Sequence, residues 1–397
     1  VLTDEQNLQK KSAVKQSVIP LSVPSLQGNE WRYLKECLDS NWVSSAGPFV
    51  DRFETMVAQY VHRDYGVACV NGTAALHTAL QIVGVKPTEE VVMPVLTFVA
   101  PANAVSYIGA HPLFIDVDPV YWQIDVQKLK DFFLQECIYK EGRLVNKHTQ
   151  RKIAAILPVH LLGHPVDMRP LLALARQYDL KVVEDVAEGL GTEYEAKRVG
   201  SFGDVAALSF NGNKIITTGG GGMMVTNRPD WAEKARYLTT QAKSDPLENI
   251  HDDIGYNYRL TNIQAALGVA QMEQLPHYIE KKRNIAKGYA RALKEVAGIS
   301  LPQEAPWGKS TFWLYTILVD SAKYGMDSRR LLGIFKEADI QTRPLWHPLY
   351  RLKPFKECFA YKISVADHLY EQAISLPSSV GLTEQEQARV IRVIKAD

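Results

Sequence analysis

Ser209-Phe210-Asn211-Gly212-Asn213-Lys214 runs on through Ile215-Ile216 into Thr217-Thr218-Gly219-Gly220-Gly221-Gly222. The apolar run over 204–210 predicts a buried strand. A lysine just past such a strand, beside four glycines, stands where a planar ligand can approach the backbone closely. An amine in a semi-enclosed pocket sheds its proton more readily than one in water, because desolvation disfavours the charged form. That property suits a lysine that forms a Schiff base. Taken alone, the stretch reads more readily as a solvated loop lysine beside a flexible turn, since most lysines are exposed.

Moving upstream, Lys181-Val182-Val183-Glu184-Asp185-Val186-Ala187-Glu188 changes that balance. Residues 180–183 predict a short buried strand. Asp185 falls at its carboxyl end, where open α/β sheets bind ligands. A carboxylate there can hold the protonated ring nitrogen of pyridoxal phosphate and keep the ring an electron sink. The alternative is an aspartate that caps the following turn. A lysine and an aspartate, each at a strand end, make a stronger case together.

These segments, with Asn71-Gly72-Thr73-Ala74-Ala75-Leu76-His77, Thr97-Phe98-Val99-Ala100 and Gly255-Tyr256-Asn257-Tyr258-Arg259-Leu260-Thr261-Asn262, occur in one order from about Leu21 onward. In that order they resemble the DegT/DnrJ/EryC1/StrS sugar aminotransferases. The resemblance implies a type I aminotransferase fold: an α/β architecture with a mainly parallel central sheet flanked by helices and a smaller C-terminal α+β domain. It implies pyridoxal phosphate as cofactor, with pyridoxamine phosphate as its aminated form. It also implies Lys214 as the Schiff-base lysine, Asp185 at the ring nitrogen and Phe98 on the ring face. Gly72, Thr73, Ser209 and Asn211 lie along the cofactor, and Asn257 reaches the phosphate of a neighbouring subunit in a homodimer with shared active sites. Glu188 stands where some relatives carry Gln or His and others Glu, a subtype marker near the cofactor's phenolic oxygen. An acid there must be protonated or bonded elsewhere to tolerate that oxygen.

The implied substrates are L-glutamate, leaving as 2-oxoglutarate, and a nucleotide-linked keto sugar. The subgroup resembled serves the legionaminic acid and bacillosamine pathways. It points to the C4 ketone of a 4-keto-6-deoxy-N-acetylhexosamine, UDP-linked in preference to GDP-linked, used for surface-glycan amino sugars such as those of lipopolysaccharide O-antigen. A C3 ketone on the same fold is the nearest competitor. Lys214 argues against the relatives that are dehydratases with His in that place. A dinucleotide-dependent oxidoreductase is disfavoured because no Gly-x-Gly-x-x-Gly follows the first strand.

Composition narrows the class further. The 397 residues exceed one ordinary core, so two domains are expected: an arm over 1–28, a cofactor-binding domain over 29–275, and a linking helix with a small domain over 276–397. A net charge of +1 gives no electrostatic case for nucleic acid or an anionic membrane. The scattered cysteines Cys37, Cys69, Cys137 and Cys358 suit a reducing cytoplasm and neither a zinc site nor a disulfide scaffold. The apolar region 91–105 is broken by Pro94 and Pro101, so no membrane span is expected.

Strand, Gly72, then helix start makes an anion site, because unpaired N–H groups and the positive dipole end point together. Asn71 or Thr73 acting as a plain cap is compatible with it. Helices are predicted near 100–108, 126–133, 166–178, 262–275 and 276–296. Residues 140–152 and 241–253 read as charged or polar loops. The small domain is expected to hold strands at 311–319 and 340–343, a helix at 328–337 and two terminal helices. Ser45, His160, Arg259, His347 and Tyr350 complete the candidates as substrate contacts. Arg259 is a fork for a carboxylate or a structural salt bridge. Trp346, His347 and Tyr350 meet a sugar or base, or pack onto the large domain. No metal site is expected: Gly163 and Pro165 break the helix that His160 and His164 would need.

Overall fold

The computed structural model describes residues 18–245 and 247–395. Eight strands form the central sheet: β1 (Tyr65–Cys69), β2 (Glu90–Pro94), β3 (His111–Ile115), β4 (Ile153–Ile156), β5 (Lys181–Asp185), β6 (Val205–Ser209), β7 (Gly222–Thr226) and β8 (Ala360–Tyr361). Their order is β1-β7-β6-β5-β4-β2-β3-β8. Only β7 runs antiparallel to its neighbours, lying between β1 and β6. The sheet strands are nearly continuous apolar runs, as expected where helices cover both faces. Parallel pairing of β5 with β6 and of β4 with β5 brings their carboxyl ends to one edge.

The last of the four glycines serves the chain itself. Gly222 pairs with both Ser209 and Cys69 across β7. A Cβ there would lie 2.3 Å from the Asn71 carbonyl oxygen, so only glycine lets β7 pass beneath the turn that follows β1.

Several expectations need correction. The break expected at Pro276 is absent: Asn262–Leu293 is one 32-residue helix with Pro276 inside it. A proline costs a helix interior about 3 kcal/mol. Here buried residues on both sides, Leu275 and Tyr278, hold the helix through it. Thr261 and Gln264 start the helix with a reciprocal capping box. Its first half packs in the core of the large sheet, and Ile285, Tyr289 and Leu293 pack in a second core. That second core also takes Ile19 from the start of the described chain. Leu345, Leu349, Phe355, Tyr361 and Leu369 return to the first core, so the chain after 276 serves both.

The excursion over 140–152 contains a hairpin, Cys137–Lys140 against Arg143–Asn146. The loop over 241–253 carries a shorter one, Lys243–Asp245 against Ile250–His251. The strand expected at 340–343 reduces to single bridges at Ile340 and Arg343. Ala373–Leu376 is a strand that periodicity did not reveal, pairing with Tyr315–Val319. Residues 1–17 of the expected arm lie outside the described residues. Residues 18–28 form a strap: Ile19 N–H donates to Asp339 O, and Ser378 N–H donates to Leu21 O. Among the described residues no helix is long and apolar enough to cross a membrane.

Candidate active site

Asp185 ends β5 and Ser209 ends β6, so both side chains sit where the sheet edge meets the loops. Between β1 and its following helix, Asn71 is the N-cap of Gly72–Ile82, and its side chain accepts the Ala74 N–H at 2.8 Å. First-turn N–H groups have no intrahelical acceptor, which leaves those of Gly72 and Thr73 for a ligand. A Cβ on Gly72 would lie 2.9 Å from Ser209 Cβ, so the glycine brings helix start and strand end together. Phe98, half exposed, precedes the helix Ala100–Tyr107.

Lys214 hangs into the resulting cavity of about 340 Å³. Its Nζ is 3.7 Å from Glu188 Oε1. The other Glu188 oxygen accepts the Leu162 N–H at 2.7 Å. Burial pushes the Glu188 carboxyl up to about 7; Lys214 and the Leu162 N–H oppose that rise, and Asp185 adds to it. Asp185 accepts one N–H, from Ala187 at 2.9 Å. Burial raises its carboxyl as well, against the pull of that N–H and of Lys214 and His160. A buried carboxylate this short of donors is suited to a cationic partner.

Eight of the residues singled out from sequence line this one cavity: Gly72, Thr73, Phe98, Asp185, Glu188, Ser209, Asn211 and Lys214. Residues 24–395 match the sequence profile of the DegT/DnrJ/EryC1/StrS aminotransferase family. The chain belongs to this family. It is 38% identical over 380 residues to the GDP-perosamine synthase of Caulobacter vibrioides, covering 95% of this chain and 97% of that one. It is 39% identical over 380 residues to the putative pyridoxal phosphate-dependent aminotransferase EpsN of Bacillus subtilis, covering 95% of each. A DegT DnrJ EryC1 StrS aminotransferase from Brucella abortus superimposes with a TM-score of 0.84 at 28% identity, over 93% of this chain and 95% of that one.

The protein is thus a pyridoxal-phosphate-dependent sugar aminotransferase. The residues present fit that cofactor. Paired N–H groups beside a serine hydroxyl suit the phosphate, an under-bonded buried aspartate suits the protonated ring nitrogen, and a lysine lies in the same cavity.

The aminotransferase places the remaining candidates elsewhere. His160 is fully buried behind β5 and does not line the cavity. Its Nδ1 accepts the Val166 N–H at 3.2 Å, which leaves Nε2–H to donate to Glu184 at 3.0 Å. Both ring nitrogens are used, so the expected substrate contact is a structural histidine. Tyr350 donates its hydroxyl to Asp367 at 2.7 Å, and His347 packs on Tyr370. Neither lines the cavity, though their neighbour Trp346 does. Ser45 lies exposed in a loop tied down by Asn262, whose side chain donates to Trp42 O at 2.8 Å. Asn257 is exposed, and Arg259 has a buried Nε without a partner; neither lines the cavity of its own chain.

Sequence reasoning missed Trp313, which lines the cavity and faces Lys214. It was read only as part of a strand, and its chain distance from Lys214 hides the contact. Asn213 and Val159 were quoted without a role and also line the cavity.

Proposed function

We propose that this aminotransferase moves an amino group from L-glutamate to the C4 ketone of a nucleotide-linked 4-keto-6-deoxyhexose. The observation that carries the reading is Lys214, its amine set against Glu188 in the cavity that Asp185, Ser209 and the Gly72 helix start also line. Pyridoxal phosphate, when bound, supplies the electron sink that stabilises charge on the substrate carbon. Asp185 would keep the ring nitrogen protonated. Gly72, Thr73 and Ser209 would hold the phosphate, with Asn211 in the same cavity. Phe98 would pack on the ring. Lys214 would hold the cofactor's aldehyde carbon and, when its amine is free, would carry the substrate proton as base and acid. Glu188, able to hold a proton near neutral pH, sits beside that amine.

The Caulobacter relative, a GDP-perosamine synthase, favours GDP as the carrier over the UDP read from sequence resemblance. A homodimer with shared sites is part of the proposal. It is supported by Asn257, exposed and outside the lining of this cavity, and by the large exposed side chains Trp31, Leu38 and Ile254.

The test offers GDP-linked 4-keto-6-deoxyhexose, its UDP-linked N-acetylated counterpart and a 3-ketone, each with glutamate, and identifies the amine by mass spectrometry and NMR. The GDP-linked 4-ketone is expected to turn over fastest. Faster amination of the 3-ketone overturns the ring position, and faster use of the UDP sugar overturns the carrier.

A further inference from the structure

Trp313 touches the site in three ways that amino transfer, as set out above, does not use. Its ring face lies 4.1 Å from Lys214 Nζ, within reach of a cation–π contact. Its Nε1–H donates to the Asn213 carbonyl at 2.7 Å, one residue before Lys214. Its own carbonyl accepts from Lys282 Nζ at 2.8 Å.

Each of these contacts is itself braced. The Asn213 carbonyl takes a second donor, the Ser22 hydroxyl of the strap, at 3.0 Å. Trp346 stacks on the indole, with centroids 6.4 Å apart and planes 2° from parallel. Lys282, buried on the long helix, also donates to the Ser378 carbonyl at 2.6 Å and has no carboxylate partner among the described residues. Burial lowers its amine to about 7. Its amine bridges the two carbonyls and ties them to the long helix.

The backbone around Trp313 is also held where it would not go alone. Phe312 has φ 50°, a region that bulky residues avoid. Its N–H is fixed by Ser310 Oγ at 3.0 Å, and the neighbouring Thr311 N–H by Gly163 O at 3.0 Å. Leu162, beside Gly163, has φ 56° and donates to Glu188. Strained residues persist only where surrounding contacts over-determine them. Here they connect both walls of the lysine's slot, Glu188 on one side and the indole on the other.

We infer that Trp313 is a positioning residue for Lys214: its indole confines the amine against Glu188 and clamps the carbonyl just before it, with Ser22 as a second clamp and Lys282 as the anchor. A lysine side chain samples many rotamers, and holding its amine in one place removes that search from the chemical step. The inference rests on Lys214 being the lysine that captures the cofactor.

The experiment mixes cofactor-free enzyme with pyridoxal phosphate, quenches with borohydride at intervals and measures the adduct at Lys214 by peptide mass spectrometry. It yields a limiting rate of attachment and a half-saturating concentration. W313L is expected to lower the limiting rate about tenfold while the half-saturating concentration moves less than about twofold. W313F keeps a ring face and loses the N–H, so its loss is smaller, about threefold. S22A removes the other donor to the same carbonyl, and W313F with S22A should lose more than the product of the single effects. A wild-type limiting rate in W313L overturns the inference, as does an effect confined to the half-saturating concentration. Should W313L fail to fold, strict multiplicativity of W313F and S22A overturns it equally. Absence of any Lys214 adduct in the wild-type protein refutes the functional reading instead.

Discussion

Glu184 and Asp185 are consecutive residues on one strand, both buried, pointing to opposite faces of the sheet. Glu184 accepts from His160 at 3.0 Å and from the N–H groups of Gly200, Phe202 and Gly203 at 2.8, 2.8 and 2.6 Å. Arg63 lies 3.8 Å away. Burial alone would raise its carboxyl; His160, Arg63 and the backbone donors outweigh that and hold it below the usual carboxylate range. Asp185 has one N–H and a cavity, and burial prevails there. The contrast separates two uses of a buried acid. One whose acceptor positions are filled holds the fold together. One left short of donors is a site awaiting a cation.

The largest effect that sharpens this contrast belongs to the lysine facing the under-bonded side. K214A is expected to lower glutamate-driven amination at least about a thousandfold, measured as 2-oxoglutarate release. A variant retaining the wild-type rate shows that another amine reacts.

Next come the two acids. D185N should lower kcat about a hundredfold or more, because the ring nitrogen loses its anionic partner. The same substitution should leave the cofactor-free protein no less stable at neutral pH, since it removes a poorly compensated buried acid. E184Q should do the reverse. An amide N–H₂ cannot accept where donors already converge, so stability should fall by about 2–4 kcal/mol in urea unfolding. The rate per folded molecule should stay within about fivefold of wild type. If E184Q loses rate and keeps stability, the division between structural and chemical acid collapses.

The smallest effect concerns Glu188. Its folded carboxyl titrates near 7 against an ordinary value of 4.5. Between those values the folded protein binds more protons than the unfolded chain, so this group's contribution to stability falls as pH rises through the window. The cofactor-free E188Q variant should therefore gain on wild type by about 2–3 kcal/mol between pH 5 and pH 8. Parallel stability curves for the two proteins over that range would show that Glu188 stays ionised throughout.

Much of this arrangement was legible beforehand because it is local. Short apolar runs marked the central strands, and Asp185 and Lys214 could be placed just past two of them. Asn71-Gly72-Thr73 announced a capped helix start with spare N–H groups. His160 misled because a histidine at a strand end looks the same whether its ring faces a cavity or a buried glutamate. Pro276 misled because its local cost is real, while the packing that overcomes it comes from two separate cores. Trp313 stayed hidden because it meets the Asn213 carbonyl across a hundred residues of chain, and only folding closes that distance.

The sequence by itself determined most strands of the central sheet, the order of the motifs and hence the family, and the residue types able to hold a phosphate, a ring nitrogen and an aldehyde carbon. These depend on neighbours a few positions away. The tertiary structure alone decided which buried acid is satisfied, which histidine is structural, and what encloses the lysine. Those outcomes depend on counting donors, acceptors and charges within a few ångströms, and the groups being counted come from remote parts of the chain. Side-chain alternation along β5 assigns Glu184 and Asp185 to opposite faces, but it does not say that three N–H groups and a histidine wait on one face and a cavity on the other.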